Sequence, residues 1–134
     1  MAKKPLQVAV FDIDGTIFRS SLLIELVEAL IQEGIFPKEA KKTYSDAYNR
    51  WLAREGSVTT GFSYYEYIEK VVEAYRKNIK GVRRADVWTI AEKVLAFHKV
   101  RVYRYTRDLL QKLRRTHYLL AISNSPYEIV APFA

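Results

Sequence analysis

Two short apolar runs, Leu6-Gln7-Val8-Ala9-Val10-Phe11 and Tyr118-Leu119-Leu120-Ala121-Ile122, stand at opposite ends of the chain, and each stops abruptly at small polar residues. Their length and lack of helical period predict buried strands at 6–11 and 118–122. Between them the apolar positions recur at three and four. Leu22, Leu23, Leu26, Val27, Leu30 and Ile31 form one stripe ending at Gly34. Pro37 then opens a second helix with Ala40, Tyr44, Ala47, Tyr48 and Trp51 on one face before Gly56, and a polar turn runs from Ser57 to Gly61. Tyr64, Tyr67, Ile68, Val71, Val72 and Tyr75 carry the same period to Gly81, and Val87, Ile90, Ala91, Val94 and Leu95 repeat it. Thr106 is placed to cap a last helix carrying Leu109, Leu110 and Leu113 before the second strand. The pattern predicts an α/β chain with a parallel strand pair joined by a long helical crossover. Two strands are few for a free-standing sheet, which predicts an open edge and an uncovered apolar face.

The polar residues that end the two runs carry the candidate chemistry. After the first comes Asp12-Ile13-Asp14-Gly15-Thr16. A strand alternates its side chains with period two, so a regular continuation puts Asp12 and Asp14 on one face, and Gly15 lets the backbone turn. One carboxylate can attack phosphorus while the other moves protons, and magnesium takes one or two carboxylates with waters and substrate oxygens. A plain polar turn or a calcium loop would also use such residues. Ile17-Phe18-Arg19 does not continue a calcium-loop pattern. After the second run comes Ser123-Asn124-Ser125-Pro126-Tyr127-Glu128, read as a phosphate-binding turn followed by a helix with Ser125 as N-cap, Pro126 at its first position and Glu128 as the capping-box acid.

These residues resemble the first and second motifs of the haloacid dehalogenase superfamily, in its phosphoserine-phosphatase-like branch. The resemblance implies Asp12 as nucleophile and Asp14 as general acid/base, with Gly15, Thr16, Ser123 and Asn124 around the phosphoryl group. It implies magnesium held by Asp12 and the main-chain carbonyl of Asp14. It also implies a Rossmann-like parallel-sheet core, N-terminal portion only, from residues 1–19 and 101–134, with an α-helical cap inserted at 20–100. The activity implied is magnesium-dependent phosphomonoester hydrolysis through an aspartyl phosphate, on a small-molecule substrate. The family's third motif, usually Lys, and its acidic fourth motif, which supplies the remaining metal ligand, do not follow Ser123: no Lys or Arg comes after Asn124, and Glu128 is the sole acid. The expectation is a truncated hydrolase, or a short chain that does not complete the site alone and self-associates through its incomplete sheet. The alternative role is non-catalytic phosphate binding or regulation. Phosphoserine phosphatases carry a Glu nine residues after the nucleophile, where this chain has Ser21, so phosphoserine is not the favoured substrate.

Composition adjusts this picture only slightly. The net charge of +7 makes nucleic-acid binding a lesser alternative, resting on Lys77, Lys80, Arg83 and Arg84 and on the run of basic residues from Arg101 to Arg115. With no cysteine there is no thiol chemistry or disulfide, and His98 and His117 lack zinc-ligand spacing. Neither a signal peptide nor a membrane span is read, because Lys3-Lys4 precede too short an apolar run and Glu25 and Glu28 interrupt the longest candidate. A cytoplasmic protein is the expectation.

Overall fold

The computed structural model describes residues 3–53 and 62–134, so Gly56 and the turn expected at 57–61 lie outside the described residues. Strand β1 (Val8–Asp12) pairs in parallel with β2 (Tyr118–Ile122), in a register that sets Val8 beside Tyr118 and Asp12 beside Ile122. The connection between them holds helices α1 (Leu22–Gln32), α2 (Ser45–Leu52), α3 (Phe62–Asn78), α4 (Arg84–His98) and α5 (Arg104–Leu113), and α6 (Tyr127–Phe133) follows β2. The result is a mixed α/β molecule with a small parallel sheet and many helices, as expected for part of a Rossmann-like core. Among the described residues no helix is long and apolar enough to cross a membrane.

Helix α1 is the centre of the core. Its predicted stripe is realised, with Leu22, Leu23, Leu26, Val27 and Leu30 buried. The helix ends where Gly34 takes a φ of +77°, and the Gly34 and Phe36 N–H groups close back on the carbonyls of Ile31 and Leu30. Around it pack Tyr67, Val71 and Ala74 of α3, the five predicted apolar residues of α4, and Ile129 of α6. Ile13 and Phe18 from the turn after β1 join the same cluster, so the segment carrying the two aspartates is anchored in the apolar interior. Fully burying such side chains stabilises by about 1.5–3 kcal/mol each, which holds this turn more firmly than its own hydrogen bonds would.

Several expectations need correction. The helix predicted from Pro37 onward is split into a 3-10 helix, Lys38–Thr43, and α2, with the break at Tyr44. Tyr44 is buried, its phenol donating to Glu28 at 2.6 Å, and the backbone there (φ −124°, ψ −3°) serves that tertiary contact rather than helix propensity. Thr106 does not cap α5. It sits inside the helix, buried, and donates to the Thr16 carbonyl at 2.8 Å. Ser125 and Glu128 make no capping box: α6 is preceded by Pro126 with no side-chain cap, and Glu128 pairs with Arg84 at 3.0 Å. The uncovered apolar face expected of a two-stranded sheet is present, so the strands are partly buried, and on one side only. Val8, Val10, Tyr118, Leu120 and Ile122 share one exposed face, because a two-stranded sheet is too narrow for the neighbouring helices to cover both sides.

Candidate active site

The strand register builds the site. Pairing Asp12 with Ile122 makes both strands end together, so the turn after β1 meets the turn after β2. There the Asp14 carboxylate gathers three donors. Ser123 Oγ donates to Oδ2 at 2.7 Å, Ser125 Oγ lies 3.1 and 3.2 Å from the two oxygens, and the Leu22 N–H donates to Oδ1 at 2.7 Å. The last of these satisfies an open N–H in the first turn of α1, next to Ser21, whose hydroxyl caps Ile24 N–H at 3.4 Å. Asp14 therefore ties together the β1 turn, the β2 turn and the start of α1. A negative charge at a helix N-terminus is favourable as well.

Asp12 has a different environment. Its side chain is exposed at the end of β1 and, among the described residues, accepts only the neighbouring Ile13 N–H, at 2.9 Å, on Oδ1. One carboxylate is thus held by three donors and the other is open to solvent. Gly15 has a φ of +76°, with nothing near the position of a side chain, so its backbone conformation rather than space requires glycine. Its N–H donates to the carbonyls of Phe18 and Ser20, while the Ile13 carbonyl accepts from Thr16, Ile17 and Phe18. The Gly15 and Thr16 N–H groups are therefore engaged inside the turn. Thr16 contributes its carbonyl to Thr106, which pins the turn to α5. Asn124 is exposed between the two serines.

Sequence reasoning brought Asp14 and Ser123 to one place, and the structure bonds them directly. It misread Ser125 as a cap. The spacing of two hydroxyls in Ser123-Asn124-Ser125 is the signal that was available: the Ser125 N–H bends back to Ser123 Oγ at 3.0 Å, and both hydroxyls meet Asp14. A cluster beside the turn had no sequence signal, being assembled from distant segments. Ser20 donates to Glu25 at 3.1 Å, and the same carboxylate lies 3.3 Å from His98 Nε2 and 3.4 Å from Arg101. His98 thereby lies in contact with a carboxylate that Arg101 also pairs.

Next to the turn, α1, α2 and α3 enclose a cavity of about 400 Å³. Arg19 and Ser20, from the segment that follows the aspartates, line it, and the Ser20 carbonyl holds Gly15. Tyr64 links cavity and site electrostatically: its phenol is pushed up from the ordinary value first by burial and then by the charge of Asp14. Deeper in, burial together with Glu28 raises the Tyr44 and Tyr67 phenols further, so both are neutral hydrogen-bonding groups across the physiological range.

Among the described residues no three His, Cys, Asp or Glu side chains gather to hold a metal ion. The donors near the turn still fit a hard, heavily hydrated cation, which needs only one or two carboxylates. Asp12 is the open carboxylate, whereas that of Asp14 is occupied by its donors. The family model for haloacid dehalogenase-like hydrolases matches residues 9–134. No curated protein and no solved structure matches the chain.

Proposed function

We propose that this chain, which belongs to the haloacid dehalogenase-like hydrolases, is a phosphomonoester hydrolase that works through an aspartyl phosphate on Asp12. The observation that carries the reading is the inequality of the two carboxylates, Asp12 open and Asp14 hydrogen-bonded to Ser123, Ser125 and the first turn of α1. An open carboxylate is free to attack. A positioned one is suited to proton transfer, and serine hydroxyls can rotate between donor and acceptor as Asp14 gains and loses a proton.

In the first step an Asp12 oxygen bonds to phosphorus as the ester oxygen departs, taking a proton from the Asp14 carboxyl. In the second, water gives its proton to Asp14 and its oxygen to phosphorus, releasing phosphate and restoring the Asp12 carboxylate. Asp12 and the Asp14 carbonyl would hold magnesium, with waters and phosphoryl oxygens as its other ligands, and the ion would offset charge on the phosphoryl oxygens. Ser123 would contact the phosphoryl group from the β2 side.

The helices from α1 to α4 support a cap over residues 20–100, and with it the phosphoserine-phosphatase-like branch. Ser21, in the place of that branch's Glu, is buried and spent on capping α1, which supports a substrate other than phosphoserine. A small-molecule substrate is also favoured over nucleic acid by the basic residues themselves. Lys77, Arg83, Arg84, Arg101, Arg104 and Arg107 each pair with a carboxylate and Lys80, Lys112, Arg114 and Arg115 form no ion pair among the described residues, so the basic clusters are broken up by acids rather than forming a continuous phosphate-binding stripe. Release of phosphate from an aryl phosphate, with and without a magnesium chelator, tests the proposal. Turnover should need magnesium and vanish in Asp12→Asn, and near-native turnover in that variant would overturn the nucleophile assignment.

A further inference from the structure

The 400 Å³ cavity beside the turn has the size of a small-molecule site and two unlike walls. One wall is aromatic. Tyr48, Trp51, Tyr64 and Tyr67 touch one another, with ring centroids 5.3 Å apart for Tyr48 and Tyr67, 5.4 Å for Trp51 and Tyr67, and 5.5 Å for Trp51 and Tyr64. Rings packed against their neighbours leave a continuous surface, not a slot into which a flat base would slide. The other wall is α1, which presents Glu25 and Glu28, with Ser20, Arg19 and Lys41 at the edges.

The charges decide what fits. The cavity is lined by two carboxylates and two cations, so their formal charges cancel. Each carboxylate is also already engaged: Glu25 pairs with Arg101 and touches His98, and Glu28 pairs with Lys41 at 3.4 Å and accepts from the Tyr44 phenol. An ammonium group entering here would have to displace a resident cation, and a carboxylate would have to pull Lys41 from Glu28, while Arg19, which has no carboxylate partner among the described residues and lies 5.8 Å over the Tyr103 ring, is left for the phosphoryl group of the ester. An uncharged alcohol meets neither cost. Hydroxyls can donate to the glutamates and accept from Lys41, Arg19 and Ser20, while the C–H face of a saturated ring lies on the aromatic wall.

We propose that this cavity is the leaving-group pocket and that it selects an uncharged polyhydroxylated ring, so that the substrate is a sugar phosphate. The proposal rests on the phosphatase reading for its orientation, phosphate toward Asp12 and ring beneath the cap helices. Its test does not need turnover. The chain has two tryptophans, Trp51 in the pocket wall and Trp88 on α4, so a Trp88→Phe protein reports the pocket through Trp51 fluorescence alone. Titration in magnesium buffer with glucose 6-phosphate should change that emission, with an affinity at least tenfold above those of phosphoethanolamine, phosphoserine and a nucleoside monophosphate. Lys41, whose side chain is half exposed, can be removed without opening the core. In Lys41→Ala the pocket gains a net negative charge, so the preference for glucose 6-phosphate over phosphoethanolamine should shrink several-fold or invert.

Silence of Trp51 to every ester, equal or tighter binding of phosphoethanolamine, phosphoserine or the nucleotide, or an unchanged preference in Lys41→Ala would each overturn the pocket assignment. Aryl phosphate turnover on the same preparation separates the two readings. Sugar-phosphate binding without any turnover would leave the pocket standing and remove the hydrolase, whereas turnover with a silent Trp51 would do the reverse.

Discussion

Asp12 and Asp14 stand two residues apart and have the same side chain, yet replacing them should have very different effects on stability. In Asp14→Asn the amide keeps an acceptor for the Leu22 N–H but loses the second carboxylate oxygen and the charge. Three donors now bond that carboxylate: one backbone N–H at 2.7 Å and two serine hydroxyls at 2.7–3.2 Å. A hydrogen bond to a charged group contributes about 1.5–3 kcal/mol against about 0.5–1.5 for a neutral one. The serine hydroxyls can turn to accept from the new amide, so only part of that difference is lost. The charge at the start of α1 adds about 0.3–1 kcal/mol. Asp14→Asn should thus destabilise by roughly 1–3 kcal/mol, and Asp14→Ala, which also leaves the Leu22 N–H without its partner, by about 3–5 kcal/mol. Asp12→Asn removes a charge that is exposed and, among the described residues, bonded only to its neighbour's N–H, so its effect should stay within about 0.5 kcal/mol. Urea denaturation of the three variants, followed by far-UV circular dichroism and compared at constant m, measures this. If Asp14→Asn matched the wild type within error, or Asp12→Asn cost as much as Asp14→Asn, the description of Asp14 as the structural junction of the site would be wrong. Ser123→Ala and Ser125→Ala, combined with Asp14→Ala in double-mutant cycles, would then apportion the network.

Other consequences can be checked with the same denaturation assay. Thr106→Val keeps the buried shape but strips the hydroxyl from the Thr16 carbonyl, which should cost about 1–3 kcal/mol, whereas Thr106→Ser should recover most of it. Leu26→Ala opens the fully buried centre of α1 and should cost about 2–5 kcal/mol; a loss under 1 kcal/mol would place the core elsewhere. At alkaline pH the raised Tyr44 and Tyr67 phenols set the sign. Folded chains retain protons that unfolded chains release above about pH 10, so stability is intact below that pH and falls as pH rises beyond it. Tyr67→Phe should flatten this alkaline decline, and an unchanged slope would refute the burial argument.

How much could be read from the sequence depended on how local the cause was. The parallel strands, the stripe of α1 and that of α4 follow from apolar spacing over ten or fifteen residues, and they lie where that spacing puts them. The motif residues Asp12-Ile13-Asp14 and Ser123 could be read for the same reason, because each stands where an apolar run ends. What failed were side chains with two plausible partners. Ser125 and Thr106 are good helix caps in isolation, and in the folded chain each finds an acceptor about ninety or more residues away, on Asp14 and on Thr16 respectively. Tyr44 breaks a helix that its neighbours favour because Glu28, on another helix, offers its buried phenol a carboxylate acceptor. In all three cases a hydrogen bond made across the fold outweighed a local preference worth about 1 kcal/mol. Two of them, Ser125 and Thr106, end on the turn that carries the aspartates. That turn needs such long-range ties: its glycine is left-handed, its N–H groups are consumed internally, and nothing in residues 12–18 alone would fix Asp14 against the second strand. The residues hardest to read from sequence are therefore those that make the legible motif rigid, and variants at Ser125 and Thr106 probe the site as directly as variants at the aspartates.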